Sequence, residues 1–120
     1  MGKGHVTERT FLPLAEAEGI DRVVQQSHTA PVLVFLHDRG CPISRYAWQQ
    51  MQQLPEAVRC DIWLVDVTRA HAVSRAIEAR TGVRHESPQV LLLRDGAPVW
   101  DASHFDITAD AVAGAVGAQA

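Results

Sequence analysis

Cys41-Pro42-Ile43-Ser44 is the stretch of this chain best equipped to do chemistry. An ionised thiol is a strong nucleophile, and a helix mouth, with unpaired N–H groups and a partial positive charge, is where such an anion is held. The residue order places Cys41 at the N-cap and Pro42 at the first helical position, where a missing N–H costs nothing. The backbone N–H groups of Ile43 and Ser44 are the expected donors to sulfur. Arg39 and Arg45 flank the site, and the Ser44 hydroxyl can turn back toward it. The plainer alternative is a buried structural cysteine, for which the preceding Gly40 and following Pro42 would have no purpose. Three places on from Cys41 stands Ser44 rather than a second cysteine, which turns two-thiol disulfide chemistry into one-thiol chemistry.

The elements that must position this motif follow from the surrounding pattern. Val32–His37 is a short apolar run rich in branched residues, the mark of a strand covered on both faces. A helix from Pro42 ends near Leu54, because Pro55 disfavours helical geometry in the residue before it. Asp61–Val67 reads as a second strand and Ala70–Thr81 as a helix stopped by Gly82. Gln89–Arg94 and Ala97–Asp101 are two strands joined by Asp95-Gly96, a pair that favours a type I′ hairpin. A last helix spans about Ala109 to Val116 with Thr108 as N-cap. Upstream, Leu12, Ala15, Ile20, Val23 and Val24 suggest an amphipathic helix through Glu16–Gln26, weakened at Gly19. The expected fold is α/β and thioredoxin-like: a four-stranded mixed sheet built from a βαβ unit, a helix, a β-hairpin and a closing helix, with an additional N-terminal helix. A single domain over residues 11–117 follows a flexible N-terminus, 1–10.

A second marker lies far along the chain. Ser87-Pro88 stands directly before the third strand, where a thioredoxin-like fold holds a cis-proline beside the cysteine and leaves the preceding residue to pair with an incoming disulfide strand. Cys60 is a poor partner for Cys41. It follows the helix, whose dozen residues separate the two by roughly 18 Å, against the about 7 Å that a disulfide allows. Three histidines, His37, His85 and His104, fall near this end of the fold and can tune the thiol or meet a ligand, or simply bond to backbone. None shows zinc-ligand spacing, and no metal site is expected. Trp48, Trp63 and Trp100 read as packing residues, with Trp48 the one placed to line a groove beside the thiol.

These pieces resemble the monothiol bacilliredoxins, the YtxJ-type bacillithiol-system redox-active proteins. The likeness is carried by Phe35-Leu36-His37 before Cys41-Pro42-Ile43-Ser44-Arg45, by Thr81 to Val90 with Arg84-His85-Glu86-Ser87-Pro88-Gln89 at its centre, by Asp95-Gly96, and by Ala102 to Thr108. It spans about Leu12 to Val116. It implies a cytoplasmic protein working with bacillithiol, a glucosamine-malate thiol, as co-substrate and with no permanently bound cofactor. Cys41 would take bacillithiol from S-bacillithiolated client proteins, and a second bacillithiol or another redoxin would resolve the adduct. The malate carboxylates call for cations, and Arg84 and His85 with Arg39 are placed to supply them. The family tends to carry a lysine where Leu36 stands and small hydroxyl residues where Asp38 and Arg39 stand, which leaves Arg39 as the source of positive charge.

Bulk properties narrow the field without choosing within it. With 120 residues, 47% of them hydrophobic and 21% charged, the chain suits one globular domain rather than a disordered segment. A net charge of −3 and no basic run argue against nucleic acid. No apolar stretch approaches a membrane span, and the N-terminus lacks the apolar segment of a secretory signal. Two other readings share the motif. One is a glutaredoxin-like monothiol reductase using a different small thiol. The other is a non-enzymatic thioredoxin-fold module that binds partners or carries an iron–sulfur cluster through Cys41.

Overall fold

In a computed structural model of the chain, residues 9–119 are described. Five strands form one mixed sheet: β1 (Phe11–Pro13), β2 (Val32–His37), β3 (Asp61–Asp66), β4 (Gln89–Arg94) and β5 (Ala97–Ser103), in the spatial order β1-β3-β2-β4-β5. Strands β1, β3 and β2 run parallel, and β4 and β5 are antiparallel to their neighbours. Four helices cover the faces: α1 (Gly19–Ser27), α2 (Pro42–Gln52), α3 (His71–Thr81) and α4 (Ala109–Gly117), with a 3-10 turn at His104–Asp106 before the last.

Strand β2 lies at the centre, and all six of its residues are buried. Its side chains alternate between two apolar layers. Val32, Val34 and Leu36 join Val23, Val24, Val73 and Ile77 under α1 and α3. Leu33 and Phe35 join Ala47, Met51, Val112 and Val116 under α2 and α4. Two-sided coverage explains why β2 and β4 read as continuous apolar runs rather than alternating ones.

The sheet has one strand more than expected. Phe11–Pro13 pairs in parallel with β3, Phe11 beside Ile62, and Leu14 N–H extends the ladder to Leu64 O at 2.8 Å. Three residues are too few to display a period of two, so Leu12 reads in sequence as part of the following helix. Phe11 holds the strand in place by edge-on packing against Phe35 and Trp48, at 5.8 and 4.7 Å between ring centroids. Helix α1 accordingly starts at Gly19 instead of running through it. The chain turns tightly there, and a Cβ at position 19 would lie 2.7 Å from Leu14 Cδ1. Residues 1–8 of the expected flexible N-terminus lie outside the described residues. Arg9 is tied down: its N–H donates to Gln52 Oε1 at 2.7 Å and its guanidinium donates to the carbonyls of Pro55 and Val58.

The expected stops and turns are realised by backbone geometry. Gly82 ends α3 with φ +74°, and Asp95 and Gly96 take φ +55° and +79° in the β4–β5 turn, the signs a type I′ turn requires. Thr108 Oγ1 accepts from Ala111 N–H at 3.1 Å and caps α4. Among the described residues no helix is long and apolar enough to cross a membrane.

Candidate active site

Strand β2 delivers the chain to a turn built by Asp38. Asp38 O accepts from Cys41 N–H at 3.0 Å, and Asp38 Oδ1 accepts from Gly40 N–H at 2.9 Å. The Asp38 N–H donates to Ser44 Oγ at 3.2 Å. A short acidic side chain that bonds the backbone two residues on fixes a turn in just this way. Cys41 is half-buried at the N-cap of α2 with extended backbone, φ −100° and ψ 125°, and Pro42 occupies the first turn. Its carbonyl accepts from Arg45 N–H at 3.0 Å.

Two expectations are corrected here. No helix N–H bonds to Cys41 sulfur, so Ile43 and Ser44 are not its donors in this structure. The residue is fixed instead through its backbone, and a half-exposed helix end can satisfy its N–H groups with solvent. The Ser44 hydroxyl turns to the backbone of Asp38 rather than back to sulfur. It is fully buried, and its oxygen is engaged by Asp38.

Beneath the turn sits His37, the last residue of β2, 6% exposed. Its ring packs against Phe35 and Trp48, with centroids 5.4 and 4.9 Å away. Burial pushes the imidazole pKa down, against opposing contributions from Asp38, Asp66 and the Ser44 backbone, and Nε2 has no hydrogen-bond partner among the described residues. His37 pairs across the sheet with Asp66. The Asp66 carboxyl is held below its usual range, first by the Thr68 hydroxyl and further by the charges of Arg39 and Arg69. The exposed Arg39 therefore lies within reach of the Asp66 carboxylate. Leu36 is 1% exposed and points into the α1/α3 layer, so it adds nothing to the surface of the site.

The second wall comes from the segment before β4. Leu36 pairs with Gln89 across β2 and β4, and continuing that antiparallel register brings Pro88 opposite His37. The Ser87–Pro88 bond is cis, and Ser87 Oγ is buried with no partner. Pro88 O accepts from His104 N–H at 3.0 Å, which fastens the 3-10 turn to this loop. The same turn meets α2 through Phe105, whose ring packs edge-on against Tyr46 at 5.4 Å.

A profile of the monothiol bacilliredoxin BrxC family matches the chain over residues 12–112, which include both walls of this site. The chain belongs to that family. It is a thiol–disulfide oxidoreductase. Among solved structures, it resembles a thioredoxin-fold protein assigned provisionally as an oxidoreductase, with 29% identity over 87% of this chain and 91% of that one and a TM-score of 0.79. A variant thioredoxin from Halobacterium salinarum NRC-1 is 20% identical over 98% of this chain and 96% of its own, with a TM-score of 0.72. Fasciola hepatica thioredoxin is 14% identical over 92% of this chain and 100% of its own, with the same TM-score. The last two speak for the fold alone, and the five-stranded α/β architecture agrees with them.

Two side chains of the bacilliredoxin, Arg84 and His104, approach one carboxylate. Glu86 lies 3.9 Å from Arg84 Nε through one oxygen and 3.9 Å from His104 Nε2 through the other. The Arg84 side chain is 92% exposed, so this pairing is weak and readily exchanged. His85 donates its N–H to Glu78 Oε1 at 3.0 Å, while its Nδ1 is buried and unpartnered. Arg45 is exposed on α2. Among the described residues no group of three or more His, Cys, Asp or Glu side chains is arranged to hold a metal ion.

Cys60 lies at the other end of the sheet. It precedes Asp61, which pairs with Val32 at the start of β2, whereas Cys41 follows the far end of that strand. Six residues of strand separate them by about 20 Å, well beyond the about 7 Å reach of a disulfide. Both thiols are free. Cys60 donates to Pro31 O at 3.2 Å, and burial pushes its thiol up to about 11. It lines a cleft of about 760 Å³ together with Arg9, Gln26, Pro31 and Asp61.

Gln89 is the residue of the site that sequence reasoning passes over. It is 3% exposed, and its amide engages the backbone on both sides of His85. A glutamine opening a strand of valine and leucines is the one signal that marks it: a polar side chain there must find partners in the loop before it.

Proposed function

We propose that this bacilliredoxin removes bacillithiol from S-bacillithiolated client proteins. Cys41 thiolate attacks the bacillithiol sulfur of the mixed disulfide. The client–bacillithiol S–S bond breaks, a Cys41–bacillithiol S–S bond forms, and the client leaves as a thiolate that takes up a proton. A second bacillithiol thiolate, or another redoxin, then attacks the adduct and releases Cys41. Each step exchanges one disulfide for another, so no further oxidant is needed. In this reading Arg39, Arg84, His85 and His104 receive the malate carboxylates, Arg45 adds positive charge beside the thiol, and Ser87-Pro88 aligns the incoming strand. The setting is the cytoplasm, where reducing conditions keep Cys41 free.

The observation that carries the proposal is the monothiol arrangement itself. The position that would hold a resolving cysteine is Ser44, buried and engaged by Asp38 N–H, and Cys60 is a strand length away. An adduct on Cys41 therefore has no internal route to resolution and must await an external thiol. The test is mass spectrometry after exposure to oxidised bacillithiol. One bacillithiol on Cys41, absent in Cys41→Ala, is expected. A wild-type chain that forms no adduct overturns the proposal. Glutathione disulfide in a parallel reaction separates bacillithiol use from a glutaredoxin-like activity, which would form the glutathione adduct faster.

A further inference from the structure

Strand β4 opens with the buried Gln89 and continues as Val90, Leu91, Leu92 and Leu93, all inside the core. A buried amide in such surroundings costs free energy unless each of its polar atoms is bonded. Both are. Gln89 Oε1 accepts from Glu86 N–H at 3.1 Å, and Gln89 Nε2 donates to Arg84 O at 3.0 Å. By alternation the side chain shares a face with Leu91 and Leu93, the α1/α3 face, from which the 84–88 segment arrives after Gly82 ends α3. The amide thus closes a ring over Glu86, Ser87 and Pro88. The hydroxyl of Ser87, whose backbone forms part of that ring, is buried and unpartnered among the described residues. On the other side, Gln89 is locked between Leu36 of β2 and Ser103 of β5.

We infer that Gln89 is a positioning residue for disulfide exchange, its amide holding Ser87-Pro88 against the turn that carries Cys41. Its two bonds go to backbone atoms, so it dictates the path of the loop whatever side chains the loop bears. Neither of its side-chain bonds reaches Cys41. The inference rests on the proposal that a client mixed disulfide docks along Ser87-Pro88, and it assigns the alignment of that docking to one side chain.

Two variants and three readouts test it. In Gln89→Leu, reaction with a protein–bacillithiol mixed disulfide should fall about tenfold in kcat/KM, as expected for the loss of two hydrogen bonds that align the substrate strand. Alkylation of Cys41 by iodoacetamide should change by less than about twofold, because the helix mouth is untouched. Equal losses in both reactions, or no loss in either, overturn the inference. Gln89→Glu keeps the fold under scrutiny if the leucine variant unfolds. In that variant a protonated carboxyl regains the O–H donor to Arg84 O, and an ionised one cannot. Its rate relative to wild type should therefore fall as pH rises. Taking the ratio removes pH effects common to both proteins, the neighbouring ionisable groups being His37 and Asp38 on the β2 side, Glu78, Arg84, His85 and Glu86 before the strand, and His104 beyond β5. A flat ratio counts against the inference. Should wild type show no activity on mixed disulfides, the function proposed above fails. Amide exchange at Glu86 then decides the positioning role alone: about tenfold faster in Gln89→Leu, with the β2 amides unchanged, supports it, and equal protection overturns it.

Discussion

The backbone N–H of Asp38 donates to Ser44 Oγ across the mouth of α2, so the residue standing where a second thiol would be is the one that ties the active-site turn to the helix. Replacing Ser44 by cysteine should permit a disulfide with Cys41, since both lie in the first turn, and intact mass would show the loss of two hydrogens under oxidising conditions. The reduced variant should be less stable by about 1 kcal/mol, because sulfur is a poor acceptor for the Asp38 N–H. No disulfide under strong oxidation would mean that Cys41 is not presented at the helix mouth.

The two cysteines should label differently. Cys60 is tied to Pro31 O and its thiol is pushed up to about 11. Iodoacetamide at neutral pH should modify Cys41 alone, and denaturant should bring Cys60 into reaction. Peptide mapping reads both, and equal labelling of the native protein would contradict the tethering of the Cys60 thiol to Pro31 O.

His37 gives the fold a share of its acid sensitivity. Its pKa is lowered by burial from the ordinary 6.5. Below that value the unfolded chain binds a proton at His37 that the folded chain refuses, so stability falls as pH drops from about 6.5 toward the lowered native value. Above about 7 both states are neutral and the contribution vanishes. Urea midpoints at pH 7 and pH 5 should differ less in His37→Leu than in wild type. An identical difference would show that His37 takes up its proton freely in the native state.

Glu86 competes with any anionic ligand for Arg84 and His104. Arg84→Ala should weaken reaction with a bacillithiol mixed disulfide by about threefold to tenfold at low salt, and leave 2-hydroxyethyl disulfide nearly unchanged. Glu86→Gln should shift the same ratio the other way, and both effects should shrink at 0.5 M salt, roughly, as the charges are screened. Equal effects on the charged and neutral substrates would remove both residues from ligand selection.

The legible parts of this molecule are those whose causes are local. β2, the proline-led α2, the Gly82 stop, the Asp95-Gly96 turn and the Thr108 cap each announce themselves in a few neighbouring residues, and each stands where the sequence places it. β1 escapes because its stability comes from pairing with β3, about 50 residues away, and from the rings of Phe35 and Trp48. The motif Cys41 to Ser44 and the loop Ser87-Pro88 are readable as types and positions. Their tethers are not: Asp38 reads as a surface turn residue and Gln89 as a polar strand end, and only the folded chain shows which backbone atoms they reach. The opposition of Glu86 to Arg84 is hidden for the same reason, since a charge in a loop does not declare its neighbour.

The tethering of Cys41 by Asp38 and Ser44 has an evolutionary consequence. The atoms that locate the sulfur belong to the inward side of the turn, whereas Arg39, Pro42 and Arg45 are exposed and take no part in the bonds that Asp38 makes to Gly40, Cys41 and Ser44. The outward residues can drift while the nucleophile stays where it is. The position of the nucleophile and the chemistry of the outer surface are set by different residues, so selection can act on one without resetting the other.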